Sequence, residues 1–184
     1  MVVVVVGIGL IGGSMALALR DKGLASKLIG VDSNAEHTKQ AVELGLVDEV
    51  ASLDDAVAQA DLIVLATPVN ALLSLTEQVL NGVTSQVVLD VGSTKTGVLD
   101  AIRNHPKRSR FVATHPMWGT EYSGPEAAVK GAFVGKAVVI CNKDESDADA
   151  AEIVERIYQS LGMHLVYMNA GDHDVHVAYV SHIS

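Results

Sequence analysis

The chain has 184 residues, 49% of them hydrophobic, with a formal net charge of −9 and a single cysteine. That length and apolar content suit one sizeable domain, or one domain plus the start of another, and the acidic balance argues against nucleic acid or membrane as a partner. No apolar run nears the roughly 20 residues needed to span a bilayer, the N-terminus lacks a signal-peptide pattern, and lone Cys141 gives no disulfide framework, so a cytoplasmic protein is expected.

Val2 to Val6, five consecutive β-branched residues, reads as a strand buried on both faces. It runs into Gly7-Ile-Gly-Leu-Ile-Gly12, which fits G-x-G-x-x-G, and then into helix formers from Ser14 to Arg20. In such a strand-turn-helix Gly7 makes the tight turn, Gly9 lets a pyrophosphate approach the backbone, and Gly12 lets the helix pack on the strand. Leu10 and Ile11 complete this cofactor-binding turn, where the N–H groups of the helix N-terminus face the phosphates. A second strand, Lys27 to Val31, ends on Asp32, 20 residues beyond Gly12. That is the spacing of a carboxylate that accepts hydrogen bonds from the adenosine ribose hydroxyls. With no arginine in Ser33-Asn34 to neutralise a 2′-phosphate, the cofactor expected is NAD.

Ser33-Asn-Ala-Glu36 has the pattern of a capping box and predicts a helix to Leu44, stopped by Gly45. Leu46 to Val50 is a short strand candidate, and Ser52 with Asp55 starts another capped helix leading to a strand over 61–66. Thr67 and Pro68 end that strand at the cofactor and open a helix across 69–80. A strand at 86–90, the turn Val91-Gly-Ser-Thr-Lys95, a helix to about Asn104 and a strand at 110–113 follow. The basic run Lys107-Arg108-Ser109-Arg110 reads as a solvated turn. Strands alternating with helices predict an α/β, Rossmann-type, doubly wound and mainly parallel sheet. Ligands in such sheets bind beyond the carboxyl ends of the strands. The positions of interest are therefore Gly7 to Gly12, Asp32, Thr67-Pro68, Gly92-Ser93 and Thr114-His115.

From Pro116 to Gly135 runs a long glycine-rich loop holding Trp118 and Tyr122, of the kind that tends to be functional. A last unit comprises a strand at 136–141, a helix from Ser146, its cap, to Leu161, and a strand at 164–168. A helix then runs from Asp172 to the end. Residues 1–170 are read as the dinucleotide-binding domain and 171–184 as the first helix of a helical second domain. Val175, Ala178, Tyr179, His182 and Ile183 recur at helical spacing, a stripe that either packs on the sheet or begins a dimer interface.

His115 follows a strand and opens the glycine-rich loop. An imidazole with an ordinary pKa of about 6.5 suits a general base, and taking hydride from an alcohol requires one. Ser93, at a neighbouring strand end, could hydrogen-bond the same hydroxyl or orient His115. His173 and His176 lie three apart, but the known zinc pattern has histidines four apart with a glutamate between, so no metal is expected. A polar helix start facing the substrate, with Asp172 near its N-terminus, is the reading adopted.

Four stretches together resemble the prephenate/arogenate dehydrogenase family of tyrosine biosynthesis, in order and over almost the whole chain. They are Gly7-Ile-Gly-Leu-Ile-Gly-Gly-Ser14, Gly92-Ser-Thr-Lys95, His115-Pro-Met-Trp-Gly-Thr-Glu121, and His173-Asp174 followed by Val180-Ser-His-Ile-Ser184. The resemblance implies NAD-dependent oxidative decarboxylation of prephenate, a small-molecule substrate, to 4-hydroxyphenylpyruvate, with hydride leaving ring C4 and CO₂ leaving C1. It implies His115 as the base on the substrate hydroxyl, Ser93 as its supporting hydroxyl, and Glu121, His173, Asp174 and His182 in or around the substrate pocket. It further implies a homodimer formed through a C-terminal helical region. Two departures stand out: Thr114 and Trp118 replace a glycine and a smaller residue or phenylalanine frequent in the family. The family also carries, in its helical domain, an arginine for the ring carboxylate, and no arginine follows Arg156 here. Arogenate dehydrogenase, another β-hydroxyacid-type dehydrogenase and a non-catalytic NAD-binding module are the alternative readings.

Overall fold

The computed structural model describes residues 1–183, with side chains to Val180; His182 and Ile183 of the expected pocket and stripe lie outside the described side chains. The apolar runs become strands in one eight-stranded sheet of order β3-β2-β1-β4-β5-β6-β7-β8. Its strands are β1 (Val2–Val6), β2 (Lys27–Val31), β3 (Glu49–Val50), β4 (Leu62–Leu65), β5 (Val87–Asp90), β6 (Phe111–Pro116), β7 (Ala137–Cys141) and β8 (His164–Met168). Strands β1 to β6 pair in parallel, β7 is antiparallel to β6, and β8 is parallel to β7. The helices are α1 (Leu10–Asp21), α2 (Ala35–Glu43), α3 (Leu53–Gln59), α4 (Val69–Asn81), α5 (Thr96–Ala101), α6 (Ala148–Ser160) and α7 (Ala170–Ile183). No helix among the described residues is long and apolar enough to cross a membrane.

Alternate residues of each central strand serve opposite faces, as the period of two requires. Val3, Val5, Leu62, Val64 and Leu89 pack with Met15 and Leu19 of α1 and with Val154 and Tyr158 of α6. Val4, Val6, Ile63, Leu65 and Val88 pack with Val57 of α3, Leu72 and Val79 of α4, and Val98 of α5. Both faces are thus covered, which is why these strands read as unbroken apolar runs. The chain reverses its direction of winding between β1 and β4, and that switch opens a crevice at their carboxyl ends.

Several local expectations are corrected. Asn34, not Ser33, caps α2, its side chain accepting from the Glu36 and His37 amides, because Asp32 already holds the Asn34 amide. Helix α6 starts after Asp147, since the Ser146 hydroxyl donates instead to the Phe111 carbonyl. Helix α5 stops at Ala101, and the expected strand at 46–50 keeps only Glu49 and Val50. The basic run is no solvated turn: Arg108 pairs with Glu145, and Arg110 clamps Asp147, Asp149 and the Ser85 carbonyl. The long loop is tied down, as Ser14 accepts from the Val129 amide and Gln40 donates to Glu126. Gly13 permits this docking on α1, since a Cβ there would lie 2.9 Å from that of Ala128.

Candidate active site

The crevice at the switch point has a volume of about 930 Å³. It gathers Gly7, Gly9, Leu10, Ile11, Asp32, Thr67, Pro68 and Ser93, all singled out on sequence grounds. Gly12 lies buried beneath it. The glycines do distinct work. Gly7 has φ +90°, and any Cβ would sit 2.7 Å from the Ala66 carbonyl oxygen. A Cβ on Gly12 would fall 2.0 Å from the Gly7 carbonyl, whereas Gly9 faces open space within 4 Å, where a phosphate can approach. Asp32 anchors the turn as well as lining the crevice. One oxygen accepts from the Ile8 amide at 2.8 Å and the other from the Asn34 amide at 2.9 Å, leaving lone pairs for a diol. Among the described residues the Thr67 hydroxyl, at the crevice wall, is buried without a hydrogen-bond partner, and a polar ligand in the crevice would supply one. Glycine cradle, carboxylate and orphan hydroxyl together fit a dinucleotide.

His115 lies inside β6 rather than after it, paired with Val139 of β7. The register sets Asp90 beside Ala113, so Gly92-Ser93 leaving β5 and His115 near the end of β6 lie at the same end of the sheet. His115 Nδ1 is 2.9 Å from His173 Nε2, and His173 Nδ1 is 2.8 Å from Asp174 Oδ1. Ser93 lines the crevice and is exposed. The Nδ1 partner of His115 is therefore His173 of α7, a contact that sequence reading did not reveal. His173 is only 1% exposed, and Asp174 receives the Lys95 and Thr96 amides at 2.8 and 2.9 Å. Glu121 sits on the exposed loop, next to Tyr122 at the crevice rim.

Behind His115 lies a second polar cluster that no motif announced. Lys95 and Asp90 form an ion pair with both side chains fully buried. Asp90 also accepts the Gly92 and Thr114 amides at 3.2 and 3.1 Å. Burial pushes the Asp90 carboxyl up, against the pull of the Lys95 ammonium. Thr114, one of the two departures from the family pattern, is fully buried. Its hydroxyl donates to the Asp90 carbonyl and accepts from Tyr158, each at 2.6 Å. Trp118 stands edge-on to Phe133, ring centroids 5.5 Å apart. Among the described residues no cluster could hold a metal. The Cys141 thiol is buried and pushed up to about 12 by desolvation, which makes it inert.

Burial, followed by the Lys95 charge and His173, pulls His115 down from 6.5 to about 4, with Asp174 opposing. The imidazole is therefore neutral at pH 7, the form that can take a proton. This carries a stability consequence. Between pH 6.5 and 4 the unfolded chain binds a proton at this position that the folded chain refuses. The stabilisation is fully present above pH 6.5 and is lost as pH falls towards 4. In chemical denaturation from pH 7.5 to 4.5, His115→Gln should lose less stability on acidification than the wild type; parallel curves would contradict the shift.

Comparison with known proteins places the chain. The family described as the prephenate dehydrogenase nucleotide-binding domain matches residues 15–167. Prephenate dehydrogenase of Bacillus subtilis is 33% identical over 184 residues, covering 98% of this chain and 50% of that protein. A crystal structure of Aquifex aeolicus prephenate dehydrogenase in complex with hydroxyphenyl propionate and NAD+ superposes with a TM-score of 0.88 at 31% identity, covering 95% of this chain and 62% of that one. Synechocystis arogenate dehydrogenase gives 0.88 at 32% identity, covering 99% and 64%. The chain spans about half the length of the Bacillus protein. With strand order, glycine turn and family match all in agreement, the chain belongs to the prephenate dehydrogenase family, whose nucleotide-binding domain it contains.

Proposed function

We propose that the chain is the NAD-binding part of a dehydrogenase that converts prephenate to 4-hydroxyphenylpyruvate. The observation that carries this reading is His115. It is a neutral imidazole with Nδ1 occupied, at the same end of the sheet as a crevice that fits a dinucleotide. Gly7 to Gly12 hold the pyrophosphate, Asp32 takes the adenosine ribose hydroxyls, and Thr67, Pro68 and Ser93 line the remainder of the cofactor path. NAD, when bound, supplies the hydride acceptor for ring C4. His115 Nε2 takes the proton of the C4 hydroxyl as that carbon is oxidised. When the C1–carboxylate bond breaks, its electron pair aromatises the ring, CO₂ leaves, and the proton returns from His115 to the same oxygen. Ser93 supports the hydroxyl, Glu121, Asp174 and His182 belong to the surroundings of the substrate, and His173, only 1% exposed, lies one layer behind against His115.

The deciding assay is NADH formation with prephenate, with arogenate and with a panel of 3-hydroxy acids. Turnover of prephenate is the expected result. Turnover of a 3-hydroxy acid alone would replace this reading, arogenate alone would change the substrate, and cofactor binding without turnover would favour a binding module. Val175 and Tyr179 of α7 are 72% and 66% exposed and do not pack on the sheet. This supports a homodimer formed through the C-terminal helical region, and sedimentation as a monomer at micromolar concentration would rule it out.

Cofactor choice has its own test. The Asp32 carboxylate would repel a 2′-phosphate, and the neighbouring Ser33 and Asn34 bring no positive charge. Wild-type kcat/KM should favour NAD over NADP by about 100-fold, and Asp32→Ala should narrow that ratio at least about tenfold. Equal use of NADP by the wild type would overturn the assignment.

A further inference from the structure

The base assignment leaves open what keeps His115 in the right protonation pattern, since a neutral imidazole can carry its hydrogen on either nitrogen. Only the form with hydrogen on Nδ1 has a lone pair on Nε2 for the substrate proton. The hydrogen-bond chain behind the ring determines which form is present. Asp174 Oδ1 accepts the Lys95 amide and Oδ2 the Thr96 amide, so both carboxylate oxygens face N–H donors where α5 begins. Burial pushes this carboxyl up, but hydrogen bonds from Thr96, His173 and Lys95 outweigh it and hold Asp174 below the ordinary carboxylate value.

An ionised Asp174 can only accept. His173 Nδ1, 2.8 Å from that carboxylate, is then the donor, and with the single imidazole hydrogen placed there its Nε2 keeps a lone pair. His115 Nδ1, 2.9 Å from that lone pair, must be the donor. Each step follows from the previous one, and the chain ends with a bare Nε2 on His115. The rings meet edge to face, centroids 5.1 Å apart and planes at 82°, so the ring planes are fixed along with the hydrogens. His173 is too buried to meet a substrate and acts only through His115.

We propose that His173 and Asp174 are positioning residues that lock His115 in the tautomer with Nε2 free. The anion at the far end also steadies the imidazolium that forms when His115 takes the proton, much as a buried aspartate does for the histidine of a hydrolase triad. The relay joins β6, the start of α5 and α7, so α7 completes the base and does not merely trail from the nucleotide-binding fold. This proposal rests on His115 being the base, and its test separates the two ideas.

Imidazole ¹⁵N NMR on the wild-type chain should show hydrogen on Nδ1 of both His115 and His173. H173Q presents a carbonyl to His115 and an amide hydrogen to Asp174; it should keep the His115 tautomer and kcat within about fivefold of wild type. H173F keeps a ring of similar size but offers no acceptor. It should move the His115 hydrogen to Nε2 and lower kcat about 10- to 100-fold, with KM for NAD nearly unchanged. A wild-type His115 carrying hydrogen on Nε2 overturns the proposal, and that spectrum decides even if H173F folds poorly. So does an H173F that keeps both tautomer and kcat while His115→Asn is inactive, which removes the positioning role and leaves the base. An active His115→Asn overturns the base reading itself, and the relay as a catalytic device falls with it.

Discussion

Replacing His115 with Asn is expected to lower kcat by about 10²- to 10⁴-fold while changing NAD affinity by less than about threefold. Loss of a positioned general base costs this much. His115 is not among the residues lining the dinucleotide crevice, so cofactor binding should survive. The pH dependence makes the expectation sharper. An ordinary histidine would give a rising limb centred near pH 6.5, but burial and the Lys95 charge pull this one down to about 4. In kcat/KM, which reports the free enzyme, the limb assigned to His115 should fall near pH 4 and vanish in His115→Asn. A variant with wild-type turnover would move the base elsewhere. A limb near 6.5 that survives the substitution would belong to another group.

Lys95→Met is expected to destabilise the fold by about 3–5 kcal/mol, among the largest effects available to a single substitution outside the crevice. The Lys95 side chain is 0% exposed, and its ammonium faces Asp90, equally buried. Removing the ammonium strands a carboxylate that, among the described residues, retains the Gly92 and Thr114 amides. Asp90 can escape by taking a proton, since burial already pushes it up from 3.8. The folded variant then binds a proton that the unfolded chain releases, so its stability falls as pH rises. The deficit should be largest at alkaline pH and shrink on acidification. Adding Asp90→Asn should recover much of it, because the buried charge is gone. Urea denaturation of the single and double variants at pH 6 and 8.5 measures both effects. A single variant within about 1 kcal/mol of wild type at pH 8.5 would show that the pair is not structural. The His115 midpoint should also rise in Lys95→Met, because the ammonium is one of the charges holding it down.

What the amino-acid order determined alone is the part of the molecule built from neighbours. The five valines, the three glycines and Asp32 do their work within about 30 residues of one another, through sterics and strand period. The place of Thr67, Pro68 and Ser93 on the crevice lining is legible because the end of a parallel strand is itself a sequence feature. Misreadings arose where several polar residues competed for one backbone amide. Asn34 took the cap from Ser33 because Asp32 was already fixed by the Ile8 amide, a contact made across the turn. Only the tertiary structure decided the chemistry around His115. Its partner His173 is 58 residues away, the Lys95 amide reaches Asp174 across 79, and Thr114 meets Tyr158 across 44. Such pairs have no period and no spacing rule, since the crossovers that bring them together are set by burial of apolar faces. The same burial strips water from His115 and Lys95, so even the ionisation of the expected base followed from packing and not from its residue type.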